Sequence, residues 1–200
     1  MSAPGIVVLL SGSGRTLLNI ADRIESGELK ARIAMVIASR ECLGAERARE
    51  RGFDTRIMPG DIEPSELKRL MTESDAAWIV LAGYLRLLKI PPALEGRVVN
   101  IHPALLPSFG GVDMFGGRVH RAVIDAGCKV SGCTVHLCDA GYDTGPIVLQ
   151  RCCPVEEDDT PDSLAARVFE LEIEAYPEAL RLLLEGHVSI EGRRVRIMKV

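Results

Sequence analysis

Three short stretches of this 200-residue chain join residue types that can do chemistry together. In Asn100-Ile101-His102-Pro103 an amide and an imidazole lie two positions apart. On an extended segment that spacing points both side chains to the same side. An amide N–H donor beside a proton-carrying ring can hold an oxyanion and move a proton, which is what acyl transfer between nitrogens requires. The same pair can equally do no more than hydrogen-bond the loop that follows. Downstream, Asp143-Thr144-Gly145-Pro146 occupies a turn before another apolar run. Its carboxylate can orient His102 and favour the cation, raising the imidazole pKa, or it can cap its own Asx-type turn. The third stretch, Ser11-Gly12-Ser13-Gly14-Arg15, follows an apolar run and precedes an amphipathic one. The N–H groups and dipole of a helix starting there favour an anion, with a phosphate the natural guest; a tight strand-to-helix turn without a ligand would look the same.

Other chemistries fit less well. The glycine stretch lacks the Lys-Ser/Thr ending of a triphosphate loop, and Leu17 stands where a dinucleotide fingerprint needs its third glycine. The candidate ribose-binding acid, Glu41, sits beside an arginine. Ser13 does not complete a G-x-S-x-G elbow, so covalent catalysis is disfavoured. Cys133, His136 and Cys138 come nearest to a metal set, but in an extended segment Cys133 faces away from the other two. Cys152 and Cys153, being adjacent, also point apart, and no metal is expected. His120, on a helical stretch, and His187, near a polar tail, read as surface or structural residues.

The elements that must position these residues follow from the apolar pattern. Short β-branched runs alternate with amphipathic stretches at 6–10, 16–25, 33–38, 45–51, 67–74 and 78–81. This rhythm predicts βαβ units and an open, mostly parallel, doubly wound sheet with helices on both faces. Continuously apolar strands fit a sheet covered on both sides, with function beyond the strands' C-terminal ends. A strand over 97–101 runs into a Pro- and Gly-rich loop from Pro103 to Gly117, and long loops of that kind are often functional. A helix over 118–126, strands over 131–137 and 147–155, a long helix over 161–184 that Pro177 should kink or divide, and a terminal hairpin turning at Glu191-Gly192 complete the order.

Bulk properties narrow the class. With 47% hydrophobic and 26% charged residues, the chain reads as a single domain over 1–200 with a substantial core. A net charge of −4 leaves no basic footprint for nucleic acid. No secretory signal or membrane-spanning run is apparent, which predicts a cytoplasmic protein with its six cysteines reduced.

Taken in order, Leu9-Leu10-Ser11-Gly12-Ser13-Gly14, Leu81-Ala82-Gly83-Tyr84-Leu85-Arg86, Asn100-Ile101-His102-Pro103-Ala104-Leu105-Leu106-Pro107 and Asp143-Thr144-Gly145-Pro146 make the chain resemble the folate-dependent formyltransferases over nearly its whole length. Among them, its small size, its phosphate loop and Glu172 resemble the enzymes that formylate glycinamide ribonucleotide. The resemblance implies 10-formyltetrahydrofolate as co-substrate, glycinamide ribonucleotide as acceptor and no metal. It implies a catalytic trio of Asn100, His102 and Asp143, with a protonated His102 helping Asn100 hold the oxyanion. It implies phosphate held by Gly12, Ser13, Gly14, Arg15 and Thr16, and Glu172 meeting the substrate. A folate wall would be made by Leu85, Arg86, Leu87 and Leu88 with Asp139, Ala140, Gly141 and Tyr142, and with Asn100. A monomer or homodimer is expected, acting on small molecules without nucleic acid or membrane. A formyltetrahydrofolate hydrolase and a noncatalytic folate or nucleotide sensor remain the alternatives. Two departures from the family pattern stand out: the longer loop from Ser108 to Gly117, and the acids of Gly60-Asp61-Ile62-Glu63 where some members place an arginine beside the folate.

Overall fold

The computed structural model describes residues 3–198 and divides into two compact units, one up to Asn100 and one from Ile101 onward. The first unit is the expected βαβ series. Its strands are β1 (Gly5–Leu10), β2 (Arg32–Ala38), β3 (Thr55–Ile57), β4 (Ala76–Leu81) and the start of β5 (Val98–His102), in the order β3-β2-β1-β4-β5 with parallel pairings. Ile6 to Leu10 are all buried, as a strand covered on both faces requires. Its helices are α1 (Arg15–Glu25), α2 (Leu43–Glu50) and α3 (Pro64–Glu73). Among the described residues of this unit, only β3 and a 3-10 turn at Pro92–Leu94 have no counterpart in the sequence reading. Both are three residues long, too short for periodicity to register.

The position of β1 has a functional consequence. The chain leaves β1 for β2 on one side, while β4 and β5 lie on the other. The sheet order therefore reverses between β1 and β4, the switch point where open α/β sheets bind ligands beyond the strands' C-terminal ends.

The second unit contains the end of β5, then α4 (Gly117–Asp125), β6 (Val130–Leu137), β7 (Ile147–Pro154), α5 (Pro161–Leu184) and the hairpin of β8 (Val188–Glu191) and β9 (Arg194–Ile197). Strands β6 and β7 pair antiparallel, with Thr134 opposite Gln150, and β9 joins β7 in parallel. Helix α5 packs on both β6 and β7 and against α4. Thr160 caps it through a reciprocal bond with Ser163, and Pro161 opens the first turn.

Pro177 does not divide α5, which runs unbroken from Pro161 to Leu184. A proline in a helix interior costs about 3 kcal/mol. Here it is buried among Ala175, Tyr176, Ala179 and Leu180, and the apolar area that this face removes from water offsets the lost backbone bond.

Candidate active site

The glycine-rich turn is built as the sequence suggests. Gly14 is the residue before α1 and has φ of 77°, a left-handed conformation that strains any residue with a Cβ. A Cβ there would also lie 2.7 Å from the Cα of Gly44, so the turn and the start of α2 touch backbone to backbone. The Gly44 N–H donates to the Gly12 carbonyl at 2.9 Å. Two guanidinium groups hold the loop's other carbonyls: Arg40 Nε donates to Ser11 O at 3.1 Å, and Arg47 to Ser13 O at 2.8 Å. Gly12, Ser13 and Arg15 stay exposed and Thr16 half-buried, with α1 opening just behind them.

Beyond β4, Leu85, Arg86 and Leu87 are exposed while Leu88 is buried. The acids that depart from the family pattern face cations of this same segment. Asp61 lies 3.4 Å from Lys89 and 3.9 Å from Arg86, and Glu63 lies 3.7 Å from Lys89. Asn100, half-buried, closes the first unit opposite Leu81 in the β4–β5 register.

In the second unit, His102 ends β5 only 3% exposed. The loop that follows is pinned near its start. Thr134 on β6 donates to the Ala104 carbonyl at 2.6 Å and accepts the Leu106 N–H at 3.0 Å. Its cross-strand neighbour Gln150 donates to Thr134 at 2.9 Å and to the Leu106 carbonyl at 3.0 Å. The loop then returns the Phe109 carbonyl to within 2.8 Å of His102 Nε2. A carbonyl can only accept, so Nε2 carries the ring proton. Phe109 holds φ of 55°, a left-handed conformation that costs an L-residue about 1–2 kcal/mol.

Asp143 faces the other side of the ring, its Oδ2 3.5 Å from His102 Nδ1. The Gly111 N–H donates to the same oxygen at 2.9 Å. The Asx turn that the sequence allowed Asp143 is made by Asp139 instead, which accepts the Gly141 N–H at 3.0 Å and the Thr144 hydroxyl. This leaves the Asp143 carboxylate for the histidines. Gly145 makes the return possible, since a Cβ there would meet the Leu137 carbonyl at 1.8 Å.

A second histidine completes the cluster, one that the sequence reading weighed only as a metal ligand. His136, on β6, brings Nε2 to 3.5 Å from Asp143 Oδ1 and bonds the Leu137 carbonyl through Nδ1 at 3.0 Å. The signal that points to it in the sequence is parity. On the extended segment its side chain shares a face with Thr134, the residue that pins the loop after His102. Of the two readings open for His120, surface or structural, burial leaves the structural one: it is 4% exposed, with Nδ1 lacking a hydrogen-bond partner.

The electrostatics correct one expectation. Burial pushes the His102 pKa below the ordinary 6.5, outweighing the Asp143 charge and the Phe109 carbonyl that favour the cation, while His136 adds to the depression. Asp143 favours the cation as expected, but a 3.5 Å contact does not compensate a ring so nearly removed from water, and it is the protonated His102 implied by the resemblance that gives way. Burial also pushes the Asp143 carboxyl up, yet the bond from His136, the charge of His102 and the Gly111 N–H together hold it below the usual carboxylate value. The pair is therefore a carboxylate beside a neutral imidazole at pH 7.

Of the remaining candidates, Glu172 is half-buried on α5, where its charge helps burial push the Cys133 thiol up to about 12. Ala140 and Tyr142 are exposed, Asp139 and Gly141 half-buried. Cys152 is exposed and Cys153 buried, so the two do point apart, and the six cysteines are unbonded. Among the described residues no three His, Cys, Asp or Glu are grouped to hold a metal, and no helix is long and apolar enough to cross a membrane.

The chain is similar to known proteins over most of its length. The family model described as formyl transferase matches residues 5–180. The chain is 35% identical over 192 residues to a chloroplastic phosphoribosylglycinamide formyltransferase of Vigna unguiculata, covering 92% of this chain but 62% of that protein. It thus spans less than two thirds of that relative's length. Among solved structures, glycinamide ribonucleotide transformylase 1 from Symbiobacterium toebii superposes with a TM-score of 0.90 at 40% identity, covering 99% of this chain and 95% of the other. A formyltetrahydrofolate deformylase from Pseudomonas syringae pv. tomato superposes with a TM-score of 0.83 at 27% identity, over 98% of this chain and 66% of that one.

Proposed function

Because the chain belongs to the formyl transferase family, we propose that it transfers the formyl group of 10-formyltetrahydrofolate to the amine of glycinamide ribonucleotide in purine synthesis. The observation that carries this reading is the buried His102 with the Asp143 carboxylate beside it, two residues beyond Asn100. Binding alone does not call for a proton-transfer group.

In the reaction proposed, the neutral amine attacks the formyl carbon and a tetrahedral adduct forms with a negative oxygen and a positive nitrogen. The Asn100 amide donates to that oxygen. With the reactants in place of the Phe109 carbonyl, the neutral ring carries its proton on Nδ1 toward Asp143, so that Nε2 is free to take the proton from the nitrogen and the cation formed is stabilised by Asp143. Collapse breaks the bond to N10 of the folate, and the proton passes from His102 to N10. The ring exchanges its bond to the Phe109 carbonyl for the reactants and keeps Asp143. No acyl-enzyme is formed.

Gly12, Ser13, Gly14, Arg15 and Thr16 hold the ribonucleotide phosphate on the opening N–H groups of α1, and Glu172 meets the same substrate. Leu85, Arg86, Leu87 and Leu88 receive the pterin together with Asp139, Ala140, Gly141, Tyr142 and Asn100. The exposure of Leu85 and Leu87, large apolar side chains of the first unit left in water, supports a ligand against that segment. We further propose a cytoplasmic monomer or homodimer that acts on small molecules without a metal or nucleic acid.

Likeness to a deformylase keeps one second reading, transfer of the formyl group to water. The test is loss of 10-formyltetrahydrofolate followed with and without glycinamide ribonucleotide. Turnover only with the ribonucleotide, yielding its formylated form, is expected. Turnover without it would identify a hydrolase, and none in either case would leave a noncatalytic sensor.

A further inference from the structure

Two segments leave the sheet at the switch point: Ser11 to Thr16 after β1, and Gly83 to Leu88 after β4. One side chain joins them. Ser11 is 2% exposed, and its hydroxyl oxygen accepts the Leu85 N–H at 3.2 Å. The Ser39 hydroxyl, at the end of β2 and 6% exposed, donates to the same oxygen at 2.7 Å. The Ser11 N–H donates to the Gly83 carbonyl at 3.1 Å, and the Ser39 N–H to the Leu10 carbonyl at 3.0 Å. Three neighbouring strand ends are thereby tied through one buried oxygen. A hydroxyl taken out of water is unfavourable unless its bonds are made, so a residue serving only to fill this space would be better as alanine.

We infer that Ser11 is a positioning residue that couples the glycine loop to the segment carrying Leu85, so that each takes its binding shape only with the other in place. The inference rests on the proposed reading of these segments as the ribonucleotide and folate sites. Ser11 need touch neither reactant; it acts through the Leu85 amide and the backbone of its own loop. Removing its hydroxyl frees the Leu85 N–H and lets the two segments relax separately. Both substrates then bind less well, while the chemistry supplied by Asn100, His102 and Asp143 is unaffected. A merely structural loss would act differently, lowering the amount of folded enzyme and so the apparent kcat at constant KM.

The test is Ser11→Ala, examined by initial rates over a grid of both substrates and by amide hydrogen exchange. Losing one buried hydrogen bond predicts that both KM values rise about three- to tenfold, with kcat within about twofold of the parent. The Leu85 amide should lose protection while those of Val7 to Leu9 keep theirs. Ser39→Ala, which leaves the Ser11 to Leu85 bond in place, should do the same to a smaller degree and serves if Ser11→Ala does not fold. Unchanged KM values in a folded variant, a fall in kcat alone, or an unchanged Leu85 exchange rate would overturn the inference. If the parent fails to turn over with the ribonucleotide, the proposed function is what fails, and the Leu85 exchange still decides whether Ser11 orders that segment.

Discussion

The two units use different materials. The first presents backbone: the N–H groups behind Gly14, the Gly12 and Ser13 carbonyls held from outside by Gly44 and Arg47, and a Leu85 amide fixed by Ser11. The second presents buried side chains: two histidines about one carboxylate, with a carbonyl on the far ring nitrogen. Backbone donors bind an anion but cannot change protonation state near neutral pH, whereas an imidazole can. Under the proposed function, the first unit would bind the ribonucleotide phosphate and supply the oxyanion donor Asn100, and the second would transfer the proton.

That assignment can be broken by substitutions whose effects should fall on different kinetic constants. His102→Ala should be the most damaging, lowering kcat by about 10²–10⁴-fold, the range of a lost general acid–base group. Asn100→Ala should lower kcat by about 10²–10³-fold, since one oxyanion donor is worth about 2.7–4 kcal/mol of barrier. Gly14→Ala should act on KM for the ribonucleotide instead, raising it about tenfold. The left-handed φ costs a residue with a Cβ about 1–2 kcal/mol and the contact with Gly44 adds to it. Steady-state kinetics separate these outcomes. A kcat effect from Gly14→Ala with KM unchanged would erase the distinction between the two units.

The same contrast explains what could be read from the sequence. The glycine turn and Asn100-x-His102 are local patterns, and a strand followed by a helix is enough to place them. The helix after Gly14 and the strand ending at His102 both form as expected. His136 and Phe109 are placed by the antiparallel pairing of β6 with β7 and by the bonds of Thr134 and Gln150, contacts spanning up to 44 residues. No periodicity in the sequence reports those. Pro177 illustrates the reverse case, where a strong local signal yields to the packing of α5 on β6 and β7. The His102 pKa went the same way. A neighbouring carboxylate is legible from sequence, while the degree of burial that outweighs it belongs to the fold.

A smaller effect sharpens the comparison further. His136→Phe removes one of the groups that hold the Asp143 carboxyl low, so the Asp143 pKa should rise. A group whose pKa is depressed by folding contributes stability above its unfolded value and loses it as pH falls. His102 and Asp143 are both of this kind, so the melting temperature of the parent should drop on acidification below about pH 6.5, where an unfolded histidine begins to bind its proton. In His136→Phe the part of that loss due to Asp143 should begin at the same unfolded carboxyl value but be smaller and end at a higher pH than in the parent.

The ionisation of His102 bears most directly on the account, because the proposed chemistry needs a neutral ring that becomes a cation only during reaction. Nitrogen-15 NMR of the imidazole across a pH titration of the ligand-free protein measures it. The account predicts a midpoint below 6.5, the Nε2-protonated neutral ring at pH 7, and an acid limb of kcat/KM that follows the same midpoint. A ring that titrates above 6.5, or that is already charged at pH 7, would contradict it.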